Sequence, residues 1–155
     1  MTLNFKNIKK ILVPTDGSDY SMRAAEYGIS IAKMLNAQIM VVYVIDKVAV
    51  EQIDEVALEQ ISKAVKRDNV ERELKKDGQR YITYVLGLAK KEGVKADSLL
   101  AKGIPFEQIL HLAKELNIDL IVMGPYGRRG AERILIGSVA ERVIEYSLCP
   151  VLVIK

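Results

Sequence analysis

From Leu120 to Tyr146 the sequence reads LIVMGPYGRRGAERILIGSVAERVIEY. Its first four residues, Leu120 to Met123, are apolar at every position. A strand with one wet face alternates, whereas a run apolar throughout suits a strand covered on both faces, as in a parallel sheet between helix layers. The run ends in Gly124-Pro-Tyr-Gly127. Nine residues later Gly137-Ser138 opens a stretch in which Val139, Arg142, Val143 and Tyr146 recur at helical spacing. Strand, glycine turn and helix in that order make one unit of an open α/β sheet.

The same alternation runs outward in both directions. Ile11-Leu12-Val13, Ile39 to Ile45 (IMVVYVI) and Val151 to Ile154 are further apolar runs, and Val94 to Ala101 is a weaker strand candidate. Between them, Ala24, Ala25, Gly28, Ile31, Ala32 and Leu35 share one face of a helix over Ser21 to Leu35. A second helix is predicted over Pro105 to Leu116, with Pro105 at the first helical position. Five strands alternating with helices predict right-handed crossovers and a Rossmann-like, doubly wound, five-stranded parallel sheet in a single domain over residues 1–155. The segment 47–93 is polar up to Lys76, is interrupted at Asp77-Gly78, and turns apolar from Tyr81 to Ala89. One long bent helix or two helices both fit it, and Gly78 and Gly87 weaken the unbroken form.

Composition narrows the function classes. The 155 residues carry 23 basic and 20 acidic side chains, a net charge of +3, with seven tyrosines, two phenylalanines and no tryptophan. That balance, with no interleaving of rings and basic residues, gives no case for nucleic acid. Cys149 has no partner for an internal disulfide, which points to a reducing compartment, and it reads as a small apolar residue at a strand entrance. The one histidine, His111, falls off the apolar set Phe106, Ile109, Leu110, Ala113 and Leu116, so it belongs on a solvated helix face. Met1 to Lys10 is polar and basic rather than a signal peptide, and no stretch reaches the roughly 20 apolar residues of a membrane helix. A cytoplasmic protein is expected.

The chemistry concentrates at Gly124, Gly127, Gly137 and Ser138. Ligands of open α/β sheets sit beyond the carboxyl ends of the strands, near the switch in strand order. Glycines there permit positive φ and let a backbone approach a phosphate closely, and the N–H groups opening the Ser138 helix favour an anion. Structural roles compete. Ser138-Val-Ala-Glu141 has the pattern of a capping box, and Gly124 and Gly127 could be turn glycines. Asp16 could serve a ligand or cap the following helix, a role for which Ser18 and Asp19 also qualify. Arg128, Arg129 and Arg133 could meet phosphate or lie in a solvated loop.

With these residues in view, the chain resembles the universal stress protein family. Met123-Gly124-x2-Gly127-x9-Gly137-Ser138-Val139-Ala140-Glu141-Arg142-Val143 is similar to the C-terminal signature of that family's ATP-binding subgroup, G-x2-G-x9-G-[S/T]. Lys10 to Ser18 (KILVPTDGS), Val42 to Asp46, Gly103 to Pro105, and Cys149 to Ile154 resemble the family elsewhere, leaving out only about 47–93. The resemblance implies strand order 3-2-1-4-5 and an ATP site. Asp16 would contact the ribose, with Pro14 and Thr15 shaping the adjoining turn. Val44 would offer its backbone to adenine and Met123 would pack near the nucleoside. Gly124, Gly127, Gly137, Ser138 and Val139 would hold the phosphates, with Mg²⁺ or Mn²⁺ bridging phosphate oxygens rather than filling a protein cage.

It also implies a nucleotide-dependent regulatory role in the stress response, as a homodimer pairing its C-terminal strands Val151 to Ile154. An open apolar edge of that kind invites such pairing. An unknown protein partner is a further expectation. Enzyme readings are weaker: there is no G-x4-G-K-[ST] loop and no base beyond Asp16 to activate water, so at most a slow or partner-dependent ATPase is expected. A module on the same fold that binds no nucleotide is the remaining alternative, and the intact glycine spacing opposes it.

Overall fold

The computed structural model describes residues 4–52, 60–127 and 135–155. After a short 3₁₀ turn at Phe5–Asn7, the chain runs β1 (Lys10–Pro14), α1 (Asp19–Leu35), β2 (Gln38–Asp46), α2 (Lys47–Gln52), α3 (Gln60–Lys91), β3 (Ala96–Gly103), α4 (Pro105–Glu115), β4 (Leu120–Met123), α5 (Ser138–Tyr146) and β5 (Val151–Val153). All strand pairs are parallel and the sheet order is β3-β2-β1-β4-β5, as the sequence resemblance implied.

Alternate residues of the central strands feed two cores. Ile11, Val13, Ile39, Val41 and Val122 face α1 and α3, meeting Ala24, Ala25, Ile29, Ile82 and Val85. Leu12, Val42, Ile121 and Met123 face the other way onto Ile109 and Ala113 of α4 and Ala140 and Val143 of α5. Leu120 to Met123 are all buried, which is why that strand reads as an unbroken apolar run. The β1–β4 junction is pinned by a half-buried carboxylate: Asp119 accepts the backbone N–H groups of Lys9 and Lys10 at 2.8 and 2.9 Å.

Two details sharpen the sequence reading. First, of the two forms that fit the segment, α3 takes the long one, unbroken through Gly78 and Gly87. A Cβ at Gly78 would fall 2.5 Å from the Tyr43 ring, so the glycine lets α3 rest directly on β2 rather than breaking it. Second, β3 begins two residues later than the apolar run suggested and extends to Gly103. His111 is exposed and faces Glu115 at 3.4 Å, and Cys149 is half-buried just before β5, both as read from the sequence.

Candidate functional site

The sheet order reverses between β1 and β4, and the carboxyl ends of β1, β2 and β4 open there into a cleft of about 520 Å³. Ligand sites of open α/β proteins form at this position because the following helices leave on opposite faces. Pro14, Thr15, Asp16, Val44, Met123, Gly124, Gly127, Gly137, Ser138 and Val139 all line it. So do Tyr43, Asp46, Leu74, Pro105 and Tyr126, none of which the sequence marked as a site residue.

One wall is a strand edge. Gln38 donates to Lys9 O and Val42 O accepts from Thr15 N, so the even-numbered residues of β2 turn their backbone groups toward β1. β1 ends at Pro14, opposite Val42, while β2 continues to Asp46. The N–H and C=O of Val44 therefore point to the side on which β1 has already ended. A donor and an acceptor side by side at the rim of a cleft can read the edge of a planar heterocycle. No property of a valine side chain signals this in a sequence.

The opposite wall is the start of α5. Gly137 is the N-cap, with extended dihedrals (φ −79°, ψ 158°), and no side chain caps the helix. Ser138 is the first helical residue, so the capping box expected at Ser138 and Glu141 is not formed. The reason is the Gly137 N–H, which donates to Pro125 O at 2.6 Å and starts the helix one residue earlier than a serine cap would. The first intrahelical bond runs from Glu141 N to Gly137 O. The N–H groups of Ser138, Val139 and Ala140 precede it and lack an intrahelical acceptor, and all three residues line the cleft.

The turn after β1 closes the third side. Asp16 Oδ1 accepts the Ser18 N–H at 2.9 Å, and Ser18 in turn caps α1 by accepting the Ser21 N–H at 3.2 Å. The cap is thus Ser18, which leaves Asp16 as the residue that shapes the turn ahead of it. Thr15 is buried, and its hydroxyl lies 3.1 Å from the Ser21 hydroxyl and accepts the Gly17 N–H at 3.2 Å. Its side chain is therefore spent on fixing α1 to β1. Gly17 has φ +79°, and a Cβ there would run into the Tyr81 ring of α3.

None of Gly124, Gly127 and Gly137 has a positive φ. They serve close approach instead. A Cβ at Gly124 would meet the Tyr20 backbone at 3.0 Å, one at Gly127 the Asp16 carboxylate at 2.5 Å, and one at Gly137 the Pro125 carbonyl at 3.0 Å. Arg128, Arg129 and Arg133 lie outside the described residues.

The description of the universal stress protein family matches residues 7–155. The chain belongs to the universal stress protein family. Universal stress protein MJ0531 of Methanocaldococcus jannaschii is 43% identical over 147 residues, covering 95% of this chain and 82% of that one. MJ0577 of the same organism is 32% identical over 153 residues, and its solved structure superposes with a TM-score of 0.80 over 96% of each chain. A universal stress protein solved in complex with cAMP matches at 25% identity and a TM-score of 0.60, over 95% of this chain and 96% of that one. In this universal stress protein the cleft lies at the β1–β4 switch. Among its described residues no helix is long and apolar enough to cross a membrane, and no group of three metal-ligating side chains comes together.

Proposed function

We propose that this universal stress protein binds ATP in the β1–β4 cleft and acts as a nucleotide-dependent regulator in the stress response. The observation that carries this is the opposition of two backbone walls across one cleft: the free edge of β2 at Val44 and the uncapped start of α5 at Ser138. The first suits a purine edge and the second a phosphate chain. The cleft volume lies within the roughly 300–1,000 Å³ of small-molecule sites, and its lining is mostly apolar where a base and sugar would lie. Asp16 is placed to reach a ribose between them. A relative's complex with cAMP supports an adenine nucleotide in this family.

Charge supports the metal. The ionisable carboxylates among the described lining residues are Asp16 and Asp46. A triphosphate entering beside them needs its own counter-charge, and Mg²⁺ or Mn²⁺ on its oxygens supplies that. The residues present fit this arrangement, since the protein offers helix N–H groups rather than a cage.

Slow hydrolysis is no part of the principal reading: of the two carboxylates that line the cleft, Asp16 already accepts the Ser18 N–H and Asp46 lies at the end of β2, beyond Val44. Homodimerisation through β5 completes the proposal. β5 is a sheet edge, with Leu152 exposed at its centre and Leu148 90% exposed just before it. Cytoplasmic residence and a downstream protein partner belong to the same reading.

Calorimetric titration with ATP and Mg²⁺ is the direct test, with GTP, AMP and a metal-free run as comparisons. Micromolar ATP binding that weakens for GTP and without metal is the expected result. Equal affinity for ATP and GTP would remove the Val44 edge from the argument. No heat from any nucleotide, with folded protein free of carried-over ligand, would sink the assignment.

A further inference from the structure

Tyr126 stands between the two segments that frame the phosphate side of the cleft. Its ring meets Tyr20 edge-on, with centroids 5.2 Å apart and planes at 75°. Its hydroxyl donates to the Leu135 carbonyl oxygen at 3.3 Å. Beside it, Gly137 N donates to Pro125 O. Pro125 and Tyr126 are thus joined to Leu135 and Gly137 by two hydrogen bonds, and one of them requires a phenol. Tyr20 is the second residue of α1, directly after the Ser18 cap that accepts Ser21 N and follows the Asp16 turn. The Tyr126 ring therefore leans on the element that sets the Asp16 end of the cleft, while its hydroxyl grips the segment that leads into Ser138.

We propose that Tyr126 is a positioning residue that fixes the spacing between the Asp16 turn and the start of α5 before any ligand arrives, and so sets the preference for a phosphate chain over a bare nucleoside. This rests on the nucleotide reading above. Donors held in place in advance need no rearrangement when the anion enters, so the benefit falls on the phosphates and not on the base. A ring that merely filled space would need no acceptor. The edge-on contact with Tyr20 is one phenylalanine makes equally well. The hydroxyl bond to Leu135 is what distinguishes the two side chains.

Tyr126→Phe keeps the Tyr20 contact and drops the Leu135 bond. Its affinity for ATP with Mg²⁺ is expected to fall about 3- to 5-fold, the factor one net hydrogen bond represents. Affinity for adenosine should change by less than about twofold. Tyr126→Ala should widen the same split, with far-ultraviolet circular dichroism and Tm confirming that both variants fold. In ligand-free protein, amide hydrogen exchange at Gly137 should be faster in Tyr126→Phe than in the parent. Equal losses for ATP and adenosine would mean general loosening and would overturn the proposal, as would unchanged affinity with unchanged exchange. Parent protein that binds neither ligand would overturn the nucleotide reading, and the exchange at Gly137 would then decide by itself for or against the positioning role.

Discussion

Gly124 and Gly127 are three residues apart on one turn, yet a side chain would meet different obstacles at each. At Gly124 the obstacle is the backbone of Tyr20 and Ser21, which cannot move without shifting α1. Gly124→Ala is therefore expected to lower folding stability by about 1–3 kcal/mol, the usual cost of overpacking, as read by urea unfolding. At Gly127 the obstacle is the Asp16 carboxylate, a side chain that can swing away. Gly127→Ala should cost about 1 kcal/mol at most, the worth of the Ser18 N–H bond to Asp16 that the shift endangers, while weakening ATP roughly tenfold, about 1.4 kcal/mol, by displacing Asp16. The reverse pattern, with Gly127→Ala unfolding readily and binding normally, would contradict this division. The sequence pointed to both glycines for two reasons, of which positive φ is not met, while close approach is met against protein neighbours, Tyr20 and Asp16. Left-handed backbone and close approach leave the same letter, and only the neighbours of each Cα tell them apart.

The start of α1 is where one side chain governs an element. Ser18 Oγ accepts Ser21 N, and the next links in the chain are Asp16 and Thr15. Ser18→Ala should cost about 1 kcal/mol, as loss of an N-cap does; a change under about 0.3 kcal/mol would show that Asp16 takes over the cap. Elements were otherwise unevenly legible. β1, β2 and β4 could be read because burial on both faces leaves no polar position in the run. β3 was fainter because it is an edge strand, with Asp97, Leu99 and Lys102 exposed, so its pattern is diluted. At α5 the sequence left a capping box at Ser138 and Glu141 open beside a ligand role; the helix instead takes Gly137 as its N-cap, whose N–H bonds Pro125 O twelve positions back. Val44 was assigned by resemblance alone. Its physical reason, the early end of β1, is a property of two strands and not of one residue.

At the scale of the molecule the sheet has two open edges, β3 and β5; each carries an exposed leucine, Leu99 and Leu152, but β5 is the short one and follows the far more exposed Leu148. Sedimentation at tens of micromolar is expected to give a dimer, and Leu152→Lys to give a folded monomer, since a charge on an edge strand opposes pairing. A monomeric parent protein, or a Leu152→Lys variant that stays dimeric, would move the interface elsewhere. The central position of β1 has a different consequence, one of timing. Ile11 pairs with Leu120, made more than a hundred residues later. At the roughly 5–20 residues per second of translation, the first strand waits on the order of ten seconds for its second neighbour. During that interval its apolar flank is open to whatever attends nascent chains at the ribosome exit. The cleft itself has no floor until β4 arrives and no far wall until Ser138 has been synthesised, so any ligand it holds meets a chain already made past the start of α5.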